Sequence, residues 1–151
     1  MDGLPWCWGK EYSESGLVGN LRSGGYRDYS YSYTPAEKKG FPKISGIAIS
    51  NKTICTTPAD SPGLLCWGYN SSYSEVLGTA DTDSWVYSPV AIDGPLEALR
   101  VTALSGQGDF DTYCAAADAS YYCWGYGGSG EIGNGTTEGA NPVPTEVVLA
   151  D

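Results

Sequence analysis

Five cysteines, at positions 7, 55, 66, 114 and 123, are the side chains of this sequence best suited to covalent chemistry. Thiols can cross-link strands, hold a metal or act as nucleophiles. The spacing disfavours zinc, because there is no Cys-x-x-Cys and no His among the 151 residues. The lack of His also removes the usual general base and every Ser-His-Asp arrangement. Eighteen Asp and Glu remain, but no spacing among them selects an acid–base pair. The expectation is a protein that is not an enzyme, with no metal and no cofactor. Asp81-x-Asp83 and Asp109-x-Asp111 are fragments of an oxygen-rich calcium loop. A Ca²⁺ ion wants about six or more oxygens, so ordinary Asp-rich turns are the simpler reading of both.

Two other sets of residues have binding chemistry. Asn51-Lys52-Thr53, Asn70-Ser71-Ser72 and Asn134-Gly135-Thr136 are acceptor sequons for N-linked glycans, each near an expected turn or loop. From Tyr26 to Tyr33, Tyr29, Tyr31 and Tyr33 alternate with serines, which is the period of a strand with one aromatic face. Such a face is either packed against the domain or offered to a sugar or protein partner, since tyrosine joins a rigid ring to a polar tip.

The elements that must position these residues read as short strands. Glycine-rich turns recur every ten or so residues between aromatic and β-branched runs, so the fold class is all-β. Residues 4–9 read as a strand, 10–25 as loop and 34–43 as a polar connection. Residues 44–54 and 64–69 read as the arms of a hairpin with Cys55 and Cys66 on opposite sides and a turn over 56–63. Residues 70–88 read as a long polar loop and 89–92 as a short strand. Pro95, Val101 and Thr102 weaken a helix over 94–104. Residues 101–104, 111–116 and 120–126 repeat the hairpin, 125–139 read as a glycine-rich loop, and 146–149 as a closing strand.

One tripeptide occurs three times: Cys7-Trp8-Gly9, Cys66-Trp67-Gly68 and Cys123-Trp124-Gly125, spaced 59 and 57 residues apart. Self-similarity at this period means a stacked or propeller-like array. Each triplet is followed by a hydrophobic-Gly pair (Val18-Gly19, Leu77-Gly78, Ile132-Gly133) and then a proline (Pro35, Pro89, Pro142), and Pro89 and Pro142 open an apolar strand. A glycine (Gly46, Gly106) then precedes the next cysteine (Cys55, Cys114). On this frame the chain is one repeat domain. Residues 1–43 form a partial first repeat with the tyrosine-rich segment, 44–100 a second, and 101–151 a truncated third. Trp8, Trp67 and Trp124 are the expected repeat core. The chain reads as starting on the last strand of a unit and stopping after the first strand of another.

Tyr113-Cys114, Cys123-Trp124-Gly125 and Ile132-Gly133-Asn134-Gly135-Thr136 together resemble the regulator-of-chromosome-condensation repeat, and Leu65 to Gly78 fits the same frame. The resemblance covers most of residues 44–148. It implies a β-propeller, which the family builds from about seven repeats where this chain has fewer than three. Secreted versions often carry a cysteine on each strand of this hairpin. Cys55 with Cys66 and Cys114 with Cys123 are therefore expected as disulfides, with reduced buried thiols as the alternative. Cys7 has no counterpart about ten residues upstream, so it is expected as an unbridged thiol or as half of an intermolecular bond.

Net charge is −10. That disfavours nucleic acid and anionic membranes as partners, and no run of about 18 apolar residues spans a bilayer. Paired cysteines favour an extracellular setting. Met1 to Pro5 lacks the basic and apolar regions of a signal peptide, so a secreted form would be a mature chain or a fragment. The leading expectation is an extracellular structural or interaction protein that assembles with itself into a ring or fibre through incomplete blades. The alternative is a protein- or carbohydrate-binding module, part of a larger propeller. The resemblance implies binding roles, because the family includes a nucleotide-exchange factor and a β-lactamase inhibitor.

Overall fold

A computed structural model describes residues 3–12, 29–79, 81–82, 84–107 and 111–149. The chain is all-β. Its strands are β1 (Trp6–Tyr12), β2 (Tyr29–Glu37), β3 (Ile44–Ile49), β4 (Thr53–Pro58), β5 (Leu65–Asn70), β6 (Ser84–Ala91), β7 (Val101–Gln107), β8 (Thr112–Ala117), β9 (Ser120–Tyr126) and β10 (Ala140–Glu146). A single 3-10 turn, Pro95–Ala98, stands where a short helix was weakly expected. Its proline sits at the start, where a missing N–H costs nothing.

The strands form two four-stranded antiparallel meanders, β3-β4-β5-β6 and β7-β8-β9-β10, and a two-stranded sheet, β1-β2. The Cys-Trp-Gly triplet lies on the third strand of each meander, β5 and β9, and on β1 of the pair. β1 and β2 thus correspond to third and fourth strands. This corrects the phase read from the sequence. The two-stranded sheet is an outer half-blade rather than a last strand. Residues 101–151 hold a full four-stranded sheet rather than a truncated one. A repeat fixes a period, but hydrogen-bonded neighbours fix where each blade begins.

Other boundaries shift for local reasons. β6 begins at Ser84, inside the stretch expected as loop, because Trp85 and Val86 pair with Tyr69 and Gly68 across the sheet. The closing strand is β10, Ala140–Glu146, rather than 146–149, and its register slips between Asn141 and Thr145, around Pro142 and Pro144. β4 begins at Thr53, so the β3–β4 turn falls at Ser50–Lys52 and Thr56 is strand rather than turn. The β8–β9 turn is two residues long, with Asp118 and Ala119 both at positive φ, the twist that suits a tight hairpin.

The core lies between the two meanders. Cys55, Cys66, Leu64, Val76, Leu77, Ile92 and Leu96 from the first pack with Tyr113, Ala115, Ala117 and Trp124 from the second. β7 lies against β3 and β4 of the neighbouring sheet, as blades in a propeller pack face to face. Cys55 is directly opposite Cys66, and Cys114 opposite Cys123, and both pairs are disulfides. The bridged residues are 11 and 9 positions apart, which corresponds to roughly 2–3 kcal/mol each in the chain-entropy picture. Replacing Cys114 and Cys123 together by Ser is expected to cost roughly those 2–3 kcal/mol of stability, read as a lower urea midpoint.

Candidate interaction site

Three Trp-Gly pairs on equivalent strands have different surroundings. Trp67 and Trp124 are 0% exposed, whereas Trp8 is 61% exposed. In the complete sheets a second strand lies beside the tryptophan. Ile54 is the register partner of Trp67. Tyr113 is that of Trp124, and its ring stacks on the indole at 5.5 Å between centroids. Among the described residues β1 has one strand neighbour, β2, where β5 and β9 each have two. The expected repeat core is therefore formed by Trp67 and Trp124. Trp8 departs from it because burial depends on a neighbouring strand, not on the tripeptide.

The glycines show the same difference. Gly9, Gly68 and Gly125 all have positive φ, at 116°, 125° and 100°, where a side chain is strained. A Cβ on Gly68 would fall on the carbonyl oxygen of Lys52 and 2.8 Å from Thr53 Cα. One on Gly125 would fall on the carbonyl oxygen of Asp111 and 3.3 Å from Thr112 Cα. Those backbones are the starts of β4 and β8. A Cβ on Gly9 would meet no described atom within 4 Å.

A groove of about 270 Å³ opens at this half-blade. Trp6, Cys7, Trp8 and Lys10 of β1 form one wall, and Ile47, Ile49 and Ile54 form the other. Trp6, Trp8, Ile47 and Ile49 are all exposed. Cys7 is buried at the wall and lies in neither disulfide. Its register position matches Cys66 and Cys123, one residue ahead of the Trp.

Ser50, Asn51 and Thr53 also line the groove, and a polar latch between the meanders holds Ser50 and Thr53. The Tyr113 hydroxyl donates to the Thr53 carbonyl at 2.6 Å and accepts from the Ser50 N–H at 3.2 Å. The Ser50 hydroxyl donates to the Asp111 carboxylate. Asp111 is buried, with φ at 59°. Burial raises its carboxyl above the usual value of 3.8, against the lowering effect of the Ser50 hydrogen bond and of nearby Lys52. Burial likewise raises the Tyr113 phenol well above its usual value.

The sign of the pH effect follows. A carboxyl raised on folding binds its proton more tightly in the native state. Its contribution is fully present below 3.8 and is lost as pH rises through the raised value. Asn keeps the left-handed backbone conformation but cannot titrate. The stability of wild type relative to Asp111→Asn is therefore expected to grow as pH falls from about 7 to about 4. Urea denaturation of both proteins over that range measures it; a pH-independent difference would show that Asp111 does not titrate in this way.

Asn70 is corrected as a glycan acceptor. It is fully buried, its amide donates to Thr79 and to the Asp81 carbonyl, and its carbonyl accepts from the Leu77 N–H at 3.1 Å. Its sequon belongs to the loop architecture, which the buried Leu77 also anchors. Asn51 is exposed on the β3–β4 turn. The Asn134 carbonyl caps Thr136 through the backbone N–H and the hydroxyl.

Tyr33 is exposed, and Tyr29 and Tyr31 fall on β2 in register with Tyr12 and Lys10. Tyr26 lies outside the described residues, as do Asp83 and Asp109 and the pair Val18-Gly19. The Asp81 carbonyl accepts from Asn70 and Ser84. Asp111 is engaged in the latch. No group of three His, Cys, Asp or Glu among the described residues is placed to hold a metal. No helix there is long and apolar enough to cross a membrane.

Among the described residues these features define a partial β-propeller: two whole blades and the outer half of a third. No protein-family model matches the sequence, and no curated protein matches it. Solved structures do. The crystal structure of human WBSCR16 superposes with a TM-score of 0.72 at 18% identity, covering 99% of this chain and 36% of that one. A chain in the crystal structure of Kap60 bound to yeast RCC1 (Prp20) gives 0.64 at 18% identity, covering 97% and 34%. Prp20p from Saccharomyces cerevisiae, in a structure whose title also describes binding to Gsp1p and histones, gives 0.50 at 13%, covering 97% and 46%. At these identities the likeness establishes the fold, that of the RCC1-type propeller. The chain spans about a third of the length of the first two structures.

Proposed function

We propose that this chain is a non-enzymatic interaction protein of the extracellular space, acting as a segment of a β-propeller that binds polypeptide at its half-blade. The observation that carries this reading is the contrast among equivalent tryptophans, buried in both whole blades and exposed beside Ile47 and Ile49 at the half-blade. A contiguous exposed apolar surface of this kind marks a contact site. The two disulfides favour an oxidising compartment, and Asn51 and Asn134 are the sequons that a glycan could occupy there. Yeast Prp20, by the titles of its structures, binds proteins, which agrees with protein binding here without naming a partner.

Self-assembly is the second reading. In the form expected from sequence it needs a surplus first strand at one end. β10 is instead the fourth strand of its own sheet. Docking of two exposed half-blade faces is the form that the exposed Trp6, Trp8, Ile47 and Ile49 favour. Native mass by light scattering, with and without reductant, separates the readings. The propeller-segment reading expects particles of 15.9 kDa, unchanged by reductant at low concentration. Large rings or fibres would overturn it in favour of self-assembly, and their loss in reductant would implicate Cys7.

A further inference from the structure

The loop between β9 and β10 holds a reactive pair, Asn134-Gly135. We propose that Asn134 is a site of spontaneous, irreversible modification: the Gly135 backbone nitrogen displaces the side-chain amide, and hydrolysis then leaves aspartate or isoaspartate, which loosens the hold of this loop on Val147 and Val148. The modification is independent of binding at the half-blade. Gly135 lies at φ 82°, a conformation that favours glycine, so the turn itself calls for the residue that least hinders attack on the side chain before it. Gly135 and Thr136 are exposed and Asn134 is half-buried. Beyond the adjoining residues, no heavy atom lies within 4 Å of where a Cβ on Gly135 would stand. The Asn134 Oδ1 accepts from the Thr136 N–H at 3.0 Å and from the Thr136 hydroxyl at 2.9 Å. These donors draw electrons from Cγ. They also stabilise the negative charge that grows on Oδ1 during attack, because hydrogen bonds to an ionised oxygen are stronger than those to a neutral one.

The other described asparagines lack this arrangement. Asn70 is fully buried, and its Oδ1 is held by the Leu77 N–H. Asn51 is exposed, but the nitrogen that would attack it, that of Lys52, donates to the buried Asp111 carboxylate. Asn141 precedes Pro142, which has no N–H to give up. At Asn134, hydroxide takes the Gly135 amide proton and the nitrogen attacks Cγ to close a cyclic succinimide. The Cγ–Nδ2 bond breaks, and Nδ2 takes a proton from water and leaves as ammonia. Water then opens the ring at either carbonyl. The net change is asparagine and water to ammonia and aspartate or isoaspartate, with no change of oxidation state. The consequence lies in what the loop holds. Asn134 Nδ2 donates to Asn141 Oδ1 at 3.5 Å, Val147 packs over Gly133, and the Val148 N–H donates to the Gly133 carbonyl at 2.8 Å. A carboxylate in place of the Asn134 amide only accepts, so it opposes the Asn141 oxygen. Isoaspartate also routes the main chain through Cβ, next to the Gly133 contacts.

Thr136→Val tests this in chain made without glycans and aged at mildly alkaline pH. Peptide mapping follows Asn134 by the mass gained when the side-chain amide becomes a carboxyl, and fragmentation separates aspartate from isoaspartate. The variant loses the hydroxyl donor and keeps the backbone N–H. It should be modified about two- to tenfold more slowly than wild type, the rate equivalent of one modest hydrogen bond. In urea the turn is gone, and the two chains should react at equal rates. Thr136→Ser keeps both donors and should restore the wild-type rate in the fold. Equal rates for wild type and Thr136→Val in the fold, or the same difference persisting in urea, would overturn the proposal. So would modification of Asn51 or Asn70 as fast as that of Asn134.

If Thr136→Val does not fold, the wild-type chain is compared with itself in buffer and in urea. Modification in the fold at least as fast as in urea supports the proposal, and slower modification overturns it. Each modified chain gains a negative charge, so anion exchange separates it from the unmodified one. Hydrogen exchange over residues 140–149 is then measured on both fractions. Faster exchange in the modified fraction is the expected result; equal exchange would show that the loop keeps its hold and would overturn the proposal.

Discussion

Gly68→Ala and Gly125→Ala are expected to destabilise the chain by about 2–6 kcal/mol each, while Gly9→Ala costs only about 1–3 kcal/mol. All three glycines sit at positive φ beyond the left-handed helical region, and a side chain there costs about 1–3 kcal/mol on conformation alone. At Gly68 and Gly125 the added methyl also falls on a neighbouring carbonyl, of Lys52 or Asp111. That adds overpacking of about 1–3 kcal/mol, because the obstacle is strand backbone and cannot rotate away. At Gly9 no described atom lies within reach, so the second term is absent. Urea denaturation of the three variants checks the ranking. Equal losses at all three positions would mean that a strand already lies beside β1.

Trp124→Ala should cost about 3–5 kcal/mol, the range for removing a large aromatic from a core. The indole is fully buried between the meanders and stacks on Tyr113, whose hydroxyl holds the turn of the neighbouring sheet. Its loss therefore opens a cavity and loosens the latch together. Trp124→Phe should recover much of the loss. It keeps a ring against Tyr113 and removes an indole N–H that has no hydrogen-bond partner in the core. Trp8→Ala, at a site 61% exposed, should change stability by no more than about 0.5 kcal/mol. Thermal or chemical unfolding of the three variants reads the contrast. A large loss at Trp8 would contradict the open half-blade.

The parts of this fold that were legible in the sequence were those with local periodicity. The recurring Cys-Trp-Gly, the paired cysteines and the alternating apolar positions placed β5, β8 and β9 and both disulfide partners, whereas 44–54 read as one arm and most of β4 as turn. The blade phase was not legible. Among the described residues the same tripeptide marks a third strand with either one neighbour or two, and only the sheet topology distinguishes them. The first half of β6 was hidden because Ser84, Tyr87 and Ser88 look like loop, while its support comes from Tyr69 and Gly68 across the sheet. Asn70 looked like a glycan acceptor because a sequon is three residues long, whereas its burial is decided by Thr79, Asp81 and Leu77.

The candidate site was the least legible part. Trp8 has the same sequence neighbours as Trp124, and its exposure arises from a strand that the tripeptide does not encode. The latch links Ser50 to Asp111 and Tyr113 across about 60 residues of sequence, and no periodicity connects them. Ile47 and Ile49 read as an ordinary apolar strand face. Their meaning comes from lying opposite Trp6 and Trp8.

Peptide-level hydrogen exchange on the wild-type chain tests the open half-blade most directly. Among the described residues β1 has one strand neighbour and β5 and β9 have two, so the peptide covering Trp6–Tyr12 should exchange through local opening. Peptides covering Leu65–Asn70 and Ser120–Tyr126 should exchange only through global unfolding, at least about a hundredfold more slowly for roughly 3 kcal/mol of extra protection. Protection of β1 equal to that of β5 and β9 would show that its edge is already occupied, and would contradict the account.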